Sequence, residues 1–296
     1  MPEVNVAHVT RRSSLCVPAG DDRKLVKALA SGADEVVIDL EDAVAYDDKA
    51  AARAQLAALD LAANLPAHAP VLAVRVNAPG SPWCHRDLEV VAGLPAVTSV
   101  VLPKVESRAD VGFAERLLDG LEAEAGRTVP LGVQALVETA TGVLGLPDIV
   151  RDVRRLDAVI VGYADLAASL GRERDVDLAT WRGVQDAVVM NARAAGVAAV
   201  DGPFLGVADD DAFRAAVAAA AGLGFDAKWV IHPRQVDGVN ERFTPAPERV
   251  DHARRVLETL ARAAADGRGA AVVDGALVDE AMAKDARRVL AKAGAR

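Results

Sequence analysis

Glu35-Val-Val-Ile-Asp-Leu-Glu-Asp-Ala-Val44 is the stretch on which the fold turns. A short apolar run, Val36 to Ile38, is closed by the carboxylates Asp39, Glu41 and Asp42. The same figure recurs downstream. Residues 131–137 end in Glu138, and residues 158–162 are followed by Tyr163, Ala164 and Asp165. Residues 71–74 end in Arg75. Short β-branched runs that stop at a charge suit strands of a parallel sheet, buried on both faces, with polar chemistry at their C-terminal ends.

Counted outward from that stretch, the predicted strands are 14–18, 35–40, 71–77, 97–103, 130–138, 158–162, 197–201 and 228–232. Alanine-rich amphipathic segments lie between most of them, for example 22–31, 48–61, 107–125 and 209–222. Each of these opens near an Asp or Ser suited to accept the free N–H groups of a first helical turn. Eight strands alternating with helices read as an α/β protein of the (β/α)8, or TIM barrel, class. An open doubly wound sheet fits less well, because the first turn, Pro18-Ala-Gly-Asp21, is no dinucleotide fingerprint. In a barrel the scattered carboxylates and Arg75 meet on one face. Carboxylates facing an arginine suggest a divalent metal and an anionic substrate.

The 296 residues exceed the roughly 250 of such a barrel and leave a C-terminal extension. The division is expected at 1–245 for the catalytic barrel and 246–296 for a cap. After His232-Pro233 a short helix spans 233–240 and a long one 247–265. A glycine-rich hinge at 266–270 follows. Residues 271–278 form a hairpin turning at Asp274-Gly275, and a last helix begins at Asp279. Such a tail is too small to fold alone and suits a lid over a site.

Net charge of −9 and a pI near 5.1 argue against nucleic acid as a partner. No run approaches the roughly 18 apolar residues of a membrane span. Residues 1–6 lack the basic and apolar segments of a signal peptide. Cys16 and Cys84 make neither a disulfide framework nor a metal spacing. The expected location is cytoplasmic.

The chain resembles the aldolase/citrate lyase family, in particular the citrate lyase β-subunit-like branch that includes malyl-CoA and citramalyl-CoA lyases. The resemblance is carried by Arg12-Ser-Ser-Leu-Cys-Val-Pro18, Asp39-Leu-Glu-Asp-Ala-Val44 with Lys49 and Arg53, and Val74-Arg-Val-Asn77. It continues through Leu102-Pro-Lys-Val-Glu106, Val137-Glu-Thr-Ala-Thr-Gly142, Gly162-Tyr-Ala-Asp-Leu166, Trp229-Val-Ile-His-Pro-Arg-Gln235 and Asp274-Gly-Ala-Leu-Val-Asp279. It covers nearly the whole chain, in order. Cys16, where an aromatic residue commonly stands, and Leu277-Val278, where the cap often has Met-Ile, depart from it.

The resemblance implies a Mg²⁺-dependent carbon–carbon lyase (Mn²⁺ in place of Mg²⁺ being an alternative) acting on a hydroxyacyl-CoA such as malyl-, citramalyl- or citryl-CoA. The products are an acyl-CoA and a 2-oxo acid. It places the metal on Glu138 and Asp165, with Glu41 and Asp42 holding metal-bound waters. Arg75 is the oxyanion and carboxylate clamp, and Asp279 the acid/base, delivered from a neighbouring subunit of a trimer or hexamer. Arg12, Arg23, Lys24 and Lys27 are the candidates for the CoA phosphates. Each also has a plainer role: Glu41 and Asp42 as helix caps, Arg75 as an ion partner of Glu41, Asp279 as the N-cap of the last helix. Lys104 and His232 are read as structural partners of the carboxylates. A citrate lyase subunit serving an acyl carrier protein, and an aldolase on free hydroxy-oxo acids, are the alternative functions.

Overall fold

Strand residues point alternately to the two faces of a sheet, so in a closed ring every second side chain faces the interior. The computed structural model describes residues 11–66, 68–173 and 178–294; residues 1–6, read above for a signal peptide, lie outside them. Eight strands pair in parallel, each with the next: β1 (Ser13–Pro18), β2 (Glu35–Asp39), β3 (Val71–Arg75), β4 (Val97–Leu102), β5 (Gly132–Val137), β6 (Leu156–Val161), β7 (Ala198–Asp201) and β8 (Ala227–Val230). The ring closes where Ser13 and Ser14 of β1 meet Lys228 and Trp229 of β8. This is the predicted (β/α)8 barrel.

The helices outside the ring are α1 (Asp22–Leu29), α2 (Lys49–Ala58), α3 (Cys84–Ala92), α4 (Arg108–Glu124), α5 (Ala140–Ile149), α6 (Tyr163–Leu170), α7 (Arg182–Ala195) and α8 (Asp211–Leu223). Their buried faces pack on the outward residues of the strands, such as Val36, Ile38 and Val74. Several caps follow the expected chemistry. Asp21 accepts from Lys24 N at 3.0 Å, and Asp210 from Phe213 N at 2.9 Å. Asp48 does not cap α2: its backbone is already helical, and its side chain accepts no cap bond.

The interior is layered. At the N-terminal end of the strands, Gln134 of β5 reaches across the ring to Glu35 of β2 (2.7 Å) and to Ser99 (2.8 Å), and Ser14 donates to the other Glu35 oxygen at 2.7 Å. Arg11 is buried under this layer, paired with Glu35 and Asp157. Above it lies an apolar layer that includes Val37, Ala73, Val101, Leu136, Ile160, Val200 and Trp229, with Cys16 packed against it. The top layer, at the C-terminal ends, is charged.

After β8, α9 (Val236–Phe243) leads to α10 (Pro247–Ala265), β9 (Ala271–Val273), β10 (Ala276–Val278) and α11 (Glu280–Gly294). Asp274 and Gly275, with φ of 51° and 82°, make the two-residue turn of the hairpin. This extension has its own small apolar seam, Ala253, Val256, Val273, Val278, Ala286 and Val289. Lys292 fastens it to the barrel, donating to Phe225 O (3.2 Å) and pairing with Asp226 (3.4 Å). Both partners precede β8, so this anchor lies at the N-terminal end of the barrel. Among the described residues no helix is long and apolar enough to cross a membrane.

Removing Arg11 would leave Glu35 and Asp157 buried without their common cation. Arg11→Met is expected to cost about 3–5 kcal/mol of unfolding free energy, measured by urea titration. A loss under 1 kcal/mol would show that the charged plug is dispensable.

Candidate active site at the barrel mouth

Asp39 ends β2 pointing inward, and Arg75 ends β3 beside it in register. The guanidinium grips the carboxylate through two bonds, Nε to Oδ1 at 2.7 Å and Nη2 to Oδ2 at 2.5 Å. The same two oxygens accept the backbone N–H groups of Glu41 (2.9 Å) and Ala43 (3.0 Å). Four donors use the carboxylate fully, so Asp39 organises the site and is no ligand in it. It fixes both Arg75 and the loop that carries Glu41 and Asp42. The carbonyls of that loop are tied down as well: Lys49 donates to Leu40 O and Glu41 O, and Asn77 donates to Leu40 O. Asn77 is in turn held by Asp87, which Arg53 neutralises.

The remaining guanidinium nitrogen of Arg75, Nη1, lies 3.2 Å from Glu41 Oε2. Lys104, just after β4, places its ammonium 2.5 Å from Glu41 Oε1, 3.2 Å from Asp165 and 3.7 Å from Asp42. Its backbone N–H donates to Glu138 Oε1 at 2.9 Å. Lys104 reaches this position with a φ of 53°, a left-handed conformation that costs a lysine about 1 kcal/mol or more. Gly162 gives Glu138 its room, since a Cβ there would fall 2.5 Å from Glu138 Oε2. Asp165 projects from the first turn of α6.

Arg75, Glu41, Asp42, Glu138 and Asp165 thus come together as expected, and Lys104 is the common partner of the four carboxylates, a more central place than a sequence reading assigns it. His232 does not join them; its ring accepts from Arg234 N as a local cap. The carboxylates crowd one another. Burial, and then the charges of Glu41 and Asp165, push the Glu138 carboxyl from the ordinary 4.5 up to about 8, while Lys104 and Arg75 pull the other way. Burial also raises Glu41. One oxygen of Glu41, Oε2, is buried without a hydrogen-bond donor. Such an all-oxygen set calls for a further cation. Among the described residues no three Asp, Glu, His or Cys side chains form a ready-made cage. The carboxylates of Glu138 and Asp165 fit Mg²⁺, which takes one or two carboxylates and fills its shell with water and substrate oxygens.

A cavity of about 340 Å³ opens over this cluster, walled on its apolar side by Cys16, Leu136, Trp229 and Ile231. The Arg75 guanidinium lies 5.8 Å from the centre of a Trp229 ring. Burial and the Asp39 carboxylate raise the Cys16 thiol to about 12, so it stays neutral. A larger crevice, about 1150 Å³, lies between α8, α9 and the extension and is lined by Arg12 and Lys292. It is at the opposite end of the barrel and holds none of these groups.

That position corrects one assignment. Arg12 precedes β1, and Asp34 takes its Nε and Nη2 at 2.7 Å each while Thr244 takes its Nη1. It is a structural clamp far from the mouth. Arg23 and Lys24 sit exposed on the first turn of α1, which starts at the mouth, and Lys27 lies one turn beyond. Asp279 is not brought to this site within one chain. Its carboxylate caps α11, accepting from Ala281 N at 2.9 Å and Met282 N at 3.4 Å.

The model of the HpcH/HpaI aldolase/citrate lyase family matches residues 12–233. An L-malyl-CoA/beta-methylmalyl-CoA lyase of Cereibacter sphaeroides is 36% identical, over 95% of this chain and 94% of its own. A (3S)-malyl-CoA thioesterase of the same organism is 35% identical, over 96% and 95%. The structure of CitE from Mycobacterium tuberculosis in complex with magnesium, acetoacetate and coenzyme A superposes with a TM-score of 0.73 at 33% identity, covering 96% of this chain and 98% of that one.

The raised Glu138 has a measurable sign. The folded state keeps this proton up to about pH 8, whereas the unfolded state loses it near 4.5. Between those values the folded state binds more protons, so this group's contribution to stability falls as pH rises. In EDTA-treated protein, Glu138→Gln should therefore gain stability over wild type as the pH is raised from about 5 to about 8. Equal urea midpoints across that window would refute the assignment.

Proposed function

The chain belongs to the HpcH/HpaI aldolase/citrate lyase family, and from that premise we infer that it is a carbon–carbon lyase cleaving or forming a hydroxyacyl-CoA of the malyl-CoA type. The observation that carries this is the convergence of Arg75 with four carboxylates from three strand ends over one cavity. Glu138 and Asp165 are the residues that would hold Mg²⁺, with Glu41 and Asp42 binding its waters. When bound, the ion polarises the oxygen of the developing 2-oxo acid and offsets its negative charge.

The chain's own groups perform the rest. Arg75, immobilised by Asp39, presents a fixed guanidinium to the carboxylate or oxyanion of the small fragment. In cleavage the substrate hydroxyl loses its proton to a base and becomes the carbonyl of the oxo acid. The electrons of the breaking C–C bond pass into the thioester as an enolate, which is then protonated at carbon to give the acyl-CoA. Condensation runs through the same groups in reverse. Arg23, Lys24 and Lys27 are placed to meet phosphates entering at the mouth beside α1.

Asp279 supplies the acid/base, from a neighbouring subunit. The anchor of the extension at the far end of its own barrel supports this, as does the division near residue 245, where α10 begins at Pro247. A cyclic homotrimer is the expected assembly, and the two free thiols suit a reducing cytoplasm.

A thioesterase is the second reading, favoured by the relative of that name at nearly the same identity. Incubation of purified enzyme with malyl-, citramalyl- and citryl-CoA separates the two. A lyase releases an oxo acid and acetyl-CoA; a thioesterase releases the free hydroxy acid and a free thiol. Lyase products are expected, abolished by EDTA and by Asp165→Ala with the circular dichroism spectrum preserved. Full activity in EDTA would remove Mg²⁺ from the scheme.

The shared site has its own test. Arg75→Ala and Asp279→Ala chains, each inactive, should regain part of the activity when mixed under conditions of subunit exchange. No recovery despite proven exchange would leave Asp279 as a plain helix cap.

A further inference from the structure

Asp165 stands on a weak platform. Helix α6 has only eight residues, and its N-cap, Gly162, offers no side chain to the first turn. Something else must hold that turn if Asp165 is to keep a fixed place. Tyr163, two residues before it, is tied on several sides. Its hydroxyl donates to Asp201 and accepts from Gln185 Nε2 at 2.7 Å. Its ring packs against Trp181 with 5.2 Å between centroids. Beneath the ring lies Gly202, where a Cβ would fall 2.7 Å from Tyr163 Cδ2.

Asp201 is itself fixed. Strand alternation turns Val200 into the barrel and Asp201 outward, beside Lys228 of β8 in register. Lys228 Nζ donates to Asp201 Oδ2 at 2.5 Å and to Gly202 O at 2.8 Å. Both side chains are buried. A buried ion pair outside the barrel wall, with no part in the cluster at the mouth, therefore ends in a hydrogen bond to the residue that starts α6.

We propose that Lys228, Asp201 and Tyr163 form a tether that positions Asp165 for its cation. This rests on Asp165 being a metal ligand. Tyr163 and Asp201 are positioning residues: Tyr163 borders the cavity and Asp201 lies outside its lining, and both act by fixing the turn from which Asp165 projects. Groups that orient a metal ligand typically account for 10–100-fold in metal affinity.

The test is Mg²⁺ binding by isothermal titration calorimetry to the full-length, substrate-free protein, with a melting curve of each variant. Tyr163→Phe keeps the ring and removes the tether; Mg²⁺ should bind at least tenfold more weakly while the metal-free melting temperature falls by only a few degrees. The double variant Asp201→Asn, Lys228→Met replaces the ion pair that seats the tether by neutral groups of similar size; it should bind Mg²⁺ at least threefold more weakly than wild type. Wild-type affinity in folded Tyr163→Phe would overturn the tether, and wild-type affinity in the folded double variant would remove Lys228 and Asp201 from it. If Tyr163→Phe does not fold, Gln185→Leu, which removes one bond to the same hydroxyl, must weaken Mg²⁺ binding by at least twofold, and no change overturns the proposal. Asp165→Asn is the control for the premise: if it binds Mg²⁺ like wild type, the assignment of the ligand has failed and not the tether.

Discussion

A closed ring of parallel strands lets only every second residue look inward, and the rest of the molecule follows from that restriction. On β2 it selects Glu35, Val37 and Asp39, and these three define three layers. Glu35 joins the polar floor, Val37 the apolar middle and Asp39 the charged mouth. The residues between them, Val36 and Ile38, are given to the helices outside. A shift of one residue in register would send the carboxylates to the helical shell and the valines to the mouth.

The mouth is a problem of charge. Asp39, Glu41, Asp42, Glu138 and Asp165 face two cations, Arg75 and Lys104. The balance is kept by giving each group a different degree of commitment. Asp39 is saturated by four donors and is inert. Arg75 is held on one edge by Asp39, and its remaining nitrogen, shared with Glu41, borders the cavity. Glu138 has one oxygen on a backbone N–H and is forced upward in pKa by burial and then by the charges of Glu41 and Asp165. Lys104 spans three carboxylates from a strained backbone. Graded commitment of this kind leaves some oxygens available for a ligand without letting the cluster fly apart.

Much of this was legible in the chain. The alternation of apolar runs with alanine-rich amphipathic segments located all eight strands, and the carboxylates that close three of those runs did converge. The errors have physical causes. Arg12 was named for phosphate through the resemblance, although it precedes the first strand; Asp34 and Thr244 occupy its guanidinium at the base of the barrel. Asp48 looked like a cap, but capping needs an extended backbone at that residue and it is already helical. The special role of Asp39 was hidden because its four donors come from a neighbouring strand and from its own folded loop. Tyr163 with Asp201 and Lys228 left no linear signal at all, since their residues are spread over three elements and meet only when β7 and β8 lie side by side.

Arg11, Glu35 and Gln134 close the base of the barrel, and the middle layer above them is apolar and packed. The space over Arg75 is thus a blind well with a single rim. Anything that reaches it, whether fragment, water or proton, comes through the same opening, and whatever covers that opening governs all traffic at once. A barrel open at both ends would need two gates; this one needs a single stopper.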